Sequence, residues 1–185
     1  MATVKVPPVR KELKELLKTK NVEIVEDIST EDFEKELVKY IDEHNVLHLS
    51  TCRDNIARST ILEYCNDGLT IYIFSEGGGK IGNIKENNTV SYTIADLYDP
   101  IEDFFSAKGL QIWGEASVFK RNDNENKFRE IFKHSDYTGN FDRMREQGID
   151  IENTPTNFNV ITIKPTRMKY LNTRRGFRYV VWESD

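Results

Sequence analysis

The run Gly77-Gly78-Gly79-Lys80 is the first place in this sequence where residue type and spacing suggest chemistry. It falls between an apolar run and a short helical stretch, where free backbone N–H groups and a lysine charge together suit an anion such as phosphate. It is not a Walker loop, because Ile81 follows the lysine; a flexible turn with a solvated lysine is the plainer reading. Arg58 and Ser59 stand at the start of one strand-like run and Ser75 closes the next. Antiparallel neighbours bring such ends to one rim, so Arg58, Ser75 and Lys80 are expected to converge on one anionic group. Taken singly, Arg58 reads as a surface ion-pair former, Ser59 as an outward polar residue and Ser75 as a strand terminator.

Two further places carry candidate binding chemistry. In the stretch Lys108 to Lys120, Gln111, Trp113 and Glu115 alternate onto one face and Leu110, Ile112 and Gly114 onto the other. An amide beside a flat indole suits a heteroaromatic ring, although Trp113 as core and Gln111 as rim is the plainer alternative. From Thr154 to Trp182 there is no acidic residue, while Lys164, Arg167, Lys169, Arg174, Arg175 and Arg178 are present. Arg174 and Arg175 in a turn could offer two guanidinium groups to a phosphate or carboxylate; a solvated basic edge guarding a final strand is the alternative. Cys52 and Cys65 lack C-x-x-C spacing, and His44, His48 and His134 form no zinc pattern, so two reduced thiols and no metal are expected.

The elements that must position these residues follow from periodicity. Leu13, Leu16 and Leu17 mark a short basic helix, Val22 to Val25 a short strand, and Phe33, Leu37, Val38 and Ile41 a helix capped by Ser29 or Thr30. Val46 to Thr51, Ile56 to Tyr64 and Leu69 to Ser75 read as three strands of an antiparallel meander, joined at Arg53-Asp54-Asn55 and Asn66-Asp67-Gly68. Lys80 to Glu86 reads as a brief helix, Thr89 to Ala95 as a strand and Lys108 to Lys120 as a long one. Residues 122 to 147 are helical in spacing, with Phe128, Ile131 and Phe132 as the apolar face and a break around Gly139. Asn157 to Ile163 and Arg167 to Leu171 are the last strands, with Pro165 at the turn between them.

The chain has 185 residues, of which 38 % are hydrophobic, which suffices for one domain that buries roughly 70 % of its unfolded surface. With 31 acidic against 26 basic residues the net charge is −5, which argues against a nucleic-acid coat. A mean hydropathy of −0.60 accompanies 11 % aromatics, so the polarity is not that of a disordered chain. No apolar run reaches membrane-spanning or signal-peptide length, so a cytoplasmic protein is expected. About six core strands with helices around them give a mainly β, α+β fold, an antiparallel barrel with helices at its rim. It forms a single domain over 1–185 with residues 1–28 as an N-terminal arm.

The stretch NVLHLSTCRDNIARSTILEYCNDGLTIYIFSEGGGKIGNIKENNTVSYTIAD, followed by GLQIWGEASVF, resembles the pyridoxamine 5′-phosphate oxidase-like, FMN-binding split β-barrel family. The resemblance covers about Asn45 to Phe119 well and the final strands loosely. It implies a six-stranded antiparallel split β-barrel with peripheral helices, a homodimer with FMN at the subunit interface and a small-molecule substrate. It places Arg58, Ser59, Thr60, Phe74, Ser75 and Lys80 at the flavin phosphate and ring edges. Gln111 matches a glutamine contributed across the interface, and Trp113 falls where the oxidase proper tends to carry arginine.

Glu63 stands where the oxidase proper uses a lysine for substrate phosphate, and its serine-rich helix and R-x-H segment have no clear match. The resemblance therefore implies an FMN-dependent oxidoreductase of the broader family rather than a vitamin B6 oxidase. One alternative is a non-catalytic flavin- or haem-binding storage or sensor protein, with His44 or His48 as axial ligand. Another is an interaction domain whose basic tail binds a polyanion.

Overall fold

The computed structural model describes residues 2–133, 145–148, 150 and 157–185. Ser29 starts helix α2 (Thr30–Asp42): its hydroxyl accepts from the Asp32 N–H at 3.1 Å. The 3.6-residue spacing then drives Phe33, Leu37, Tyr40 and Ile41 into the main core. Helix α1 (Lys11–Lys18) buries Leu17 but leaves Leu16 49 % exposed, so the expected three-leucine stripe narrows. No strand forms at Val22 to Val25. That segment crosses the chain near its end with Val25 N–H donating to the Gly176 carbonyl at 3.1 Å, a single bond rather than a ladder.

Strands β2 (Val46–Arg53) and β3 (Ile56–Glu63) form a hairpin through Asp54 and Asn55, both in the left-handed region that such tight turns require. The expected meander ends there. A three-residue strand β4 (Cys65–Asp67) folds back on β5 (Thr70–Ser75), and β5 pairs with β8 instead of β3. Tyr64 sets the corner, buried between β3 and β4, with its hydroxyl donating to the Ile41 carbonyl at 2.7 Å.

Helix α3 (Gly79–Glu86), β6 (Thr89–Ala95) and β7 (Lys108–Lys120) match the expected spans closely. Helix α4 (Glu125–Lys133) packs Phe128, Ile131 and Phe132 with Val160 in a second, smaller core. The break expected at Gly139 lies outside the described residues.

The last expectation changes most. Strand β8 runs unbroken from Asn159 to Asn172, with Pro165 inside it. Proline is tolerated because β8 changes partner at this point: Asn159–Ile163 pairs with β5 and Arg167–Asn172 pairs with β9 (Phe177–Glu183). The register along β7 also shifts between Trp113 and Gly114. At Gly114 an added Cβ would stand 2.5 Å from the Lys164 carbonyl oxygen, so only glycine admits this approach. Strand β1 (Thr3–Lys5), also unforeseen, pairs with β9 at the sheet edge.

The strands follow the order β1-β9-β8-β7-β6-β2-β3, with β5 on the other half of β8. The six core strands β3, β2, β6, β7, β8 and β5 run antiparallel around the main core, with β3 and β5 not paired to each other and with α2 and α3 packing side chains into that core. This is the split β-barrel expected from the sequence.

Candidate anion site and sheet face

The loop before α3 is built from below. Ser75 ends β5 with its side chain buried, and its hydroxyl both accepts from the Gly77 N–H and donates to the Gly77 carbonyl, each at 3.2 Å. Asn159, buried on β8, donates to the Ser75 and Glu76 carbonyls at 3.3 Å each. Gly78, with φ 102° and ψ 178°, occupies a conformation that side chains rarely adopt and starts α3. At the far wall, Asn83 of α3 donates to the Thr51 hydroxyl of β2 at 3.0 Å.

Two cations meet at this loop. Lys80 Nζ donates to the Gly77 carbonyl at 2.7 Å, and an added Cβ on Gly79 would lie 2.9 Å from Arg58 Nη1. The Arg58 guanidinium thus rests against the loop backbone. Burial, and then the charge of Arg58, push the Lys80 ammonium below the ordinary lysine range. No carboxylate among the described residues pairs with either. The ion-pair alternative for Arg58 is therefore absent here, and a bound anion would relieve the repulsion.

Strand pleating sorts the remaining candidates. Arg58 lies opposite Thr51 and Thr60 opposite Leu49, so both share the inner face with the core side of β2. Ser59 lies opposite Ser50 and takes the outer face. Phe74 turns away from Ser75: its ring packs on Phe128 and Phe132 with centroids 5.5 and 5.7 Å apart, so it supports α4. Across the outer face, one row runs Ser59, Ser50, Ser91, Trp113, Arg167, and the next runs Ile61, His48, Thr93, Gln111, Lys169. Gln111 is exposed, Trp113 half-buried and Ile61 68 % exposed. The Arg167 guanidinium stands 5.2 Å from the Trp113 ring centre.

Gln111 and Trp113 therefore lie on the opposite side of the sheet from Arg58 and Lys80. Arg174 and Arg175 hold carboxylates of their own chain, Asp103 and Glu36. His44 has both ring nitrogens engaged, at 2.7 Å from the Tyr40 carbonyl and 3.3 Å from Asp96, whereas His48 is exposed on the outer face. Among the described residues, no group of His, Cys, Asp and Glu could hold a metal, and no helix is long and apolar enough to cross a membrane. Sequence reasoning missed Asn159 and Asn83. Their only signal was an asparagine inside a strand or helix pattern, which is too common to single out.

This geometry defines the class: antiparallel split-barrel proteins with a glycine–lysine loop at one mouth and a flat polar sheet face outside. The family model for pyridoxamine 5′-phosphate oxidase matches residues 33–172, and the chain belongs to that family. No curated protein matches the sequence. Among solved structures it is similar to General Stress Protein 26 from Bacillus anthracis, at 18 % identity and TM-score 0.53, over 75 % of this chain and 93 % of that one. It is also similar to HutZ, the haem storage protein from Vibrio cholerae, at 16 % identity and TM-score 0.53, over 71 % and 89 %. A FAD-binding protein from Mesorhizobium loti matches at 14 % identity and TM-score 0.53, over 85 % and 96 %. At these identities the likeness concerns the fold.

Proposed function

We propose that the protein is a homodimeric FMN-binding flavoprotein, an oxidoreductase acting on a small molecule, with each site assembled from two chains. One observation carries this reading: the phosphate-type cations and the ring-type residues stand on opposite sides of one sheet. A single chain cannot bring Arg58 and Gln111 to one ligand; a second copy whose outer face meets this chain's loop mouth can.

The donor set fits a flavin phosphate. Arg58 and Lys80 are two cations with no carboxylate partner among the described residues, at a loop whose glycines let backbone come close, and Ser75 with Asn159 holds that loop in place. Arg58 grips with two parallel N–H groups and Lys80 adds a point charge. Thr60, on the same inner face, is placed to meet the sugar-like chain or ring edge. The partner subunit's Gln111 offers an amide to the ring edge, while the partner subunit's Trp113 walls the site and excludes water; Ser59 lines the approach on the outer face. Bound flavin supplies the electron-transfer chemistry, which is why no conspicuous acid–base pair is required.

The absorption spectrum of the purified protein, with the released cofactor identified by mass, tests this. Two flavin bands at one FMN per chain are expected. A colourless protein that takes up no added FMN would sink the reading. A Soret band lost in His48→Ala would instead support haem storage, for which His48 is the accessible histidine among the described residues. Reduction of the bound flavin by NADH or NADPH, followed by reoxidation with an acceptor, separates an enzyme from a flavin store.

A further inference from the structure

The acid-free segment near the chain end has six cations: Lys164, Arg167, Lys169, Arg174, Arg175 and Arg178. The fold pairs three of them, Arg167 with Glu183 at 3.5 Å, Arg174 with Asp103 and Arg175 with Glu36. Lys164, Lys169 and Arg178 reach no carboxylate among the described residues, and the last two close on one ring. Lys169 Nζ stands 4.8 Å from the Tyr179 ring centre and the Arg178 guanidinium carbon 5.4 Å from it. The ring's negative face offsets part of the repulsion between these cations, and an anion would offset more. Arg178 is held in place by a bond to the Thr173 hydroxyl at 3.1 Å.

The backbone aims that ring. The register between β8 and β9 slips at Tyr170 and Leu171, which makes Tyr179 the extra residue of a β-bulge, with φ 59°. A bulky aromatic rarely adopts this left-handed conformation, and bulges commonly re-aim a side chain at a working site. Tyr179 stays 45 % exposed beside its two cations.

Beside it the outer face is low. Gly109 of β7 lies opposite Leu171 and brings no side chain, while Gln111 lies opposite Lys169. Lys169 and Leu171 of β8 stand between Gln111 and Arg178 on this face.

We propose that Lys169, Arg178 and Tyr179 form a binding site for a small planar carboxylate: its ring against Tyr179, its charge between the two cations, and Gln111 as a hydrogen-bonding neighbour. This rests on and deepens the flavin reading. Because Gln111 borders the cofactor held by the other chain, the site names planar carboxylates as the substrate class.

Calorimetric titration of the purified protein with nicotinate, nicotinamide and acetate tests the proposal. Nicotinate should bind about tenfold more tightly than either, since nicotinamide lacks the charge and acetate the ring. The preference should vanish in Lys169→Ala/Arg178→Ala and in the less disruptive Lys169→Gln/Arg178→Gln, each verified as folded by its thermal melt, with FMN affinity unchanged. Equal binding of nicotinate and nicotinamide, or a preference that survives both double variants, would overturn it. FMN uptake is measured separately. A protein that takes up FMN but shows no preference refutes this site alone. One that refuses FMN yet shows the preference, lost in the variants, keeps the site and refutes the flavin reading.

Discussion

The loop mouth and the outer sheet face are built on opposite principles. At the mouth, backbone and buried polar anchors fix the geometry: Ser75 and Asn159 bind the loop from beneath, Gly78 bends it, and Arg58 and Lys80 are held close despite their like charge. On the outer face, exposed side chains from neighbouring strands stand in rows set only by pleat and register, with Gln111 and Lys169 directly opposite one another. The first region is organised within one chain before a ligand arrives, and the second is an exposed surface ordered only by strand pairing.

The largest expected effect breaks the mouth. Arg58→Ala removes a charge-assisted bidentate contact and should weaken FMN binding about 30-fold, read by quenching of flavin fluorescence, with little change in thermal stability because the side chain is exposed. Asn159→Ala should act through the fold instead. It leaves two loop carbonyls without their donor, so the melting temperature should fall by about 4 °C and FMN binding weaken with it. Gln111→Ala sharpens the contrast: about fivefold weaker FMN binding with an unchanged melting temperature, since the residue is exposed in one chain.

The smallest effect is a pH dependence. Lys80 binds an anion in its charged form, and its value lies below the ordinary 10.5. Affinity for FMN should thus be level near neutral pH and decline as pH rises through that lowered value, beginning at a lower pH than an ordinary lysine would give. Lys80→Met should remove this alkaline decline. A Lys80→Met profile identical in shape to that of the unaltered protein would assign the decline to another group.

Much of this was legible in the sequence, for reasons that differ by residue. Strands such as Thr89–Ala95 and Lys108–Lys120 were readable because alternation along a half-buried strand is a local property. The glycine–lysine loop and Arg58 were readable as a convergence, although the route differs: β3 pairs with β2 and β5 with β8 rather than with each other. Pro165 misled because its meaning depends on β8 changing partners beside it, a non-local fact. Asn159 and the strained Tyr179 were illegible for the same reason: one acts by contacts 83 and 84 residues away in sequence, and the other by a register slip. Arg174 and Arg175 looked like the free cations of the basic segment, yet Asp103 and Glu36 claim them and leave Lys164, Lys169 and Arg178 without a carboxylate among the described residues.

The central claim is that each site takes its cations from one chain and its ring contacts from the other. Mixing two variants, Arg58→Ala and Gln111→Ala/Trp113→Ala, after dissociating and reassociating the chains, tests it most directly. Each variant alone should bind FMN weakly. In the mixture, every mixed dimer should hold one intact site, restoring tight FMN binding at about a quarter of all sites. A mixture that binds no better than its components, with mixed dimers shown to form, would contradict the account.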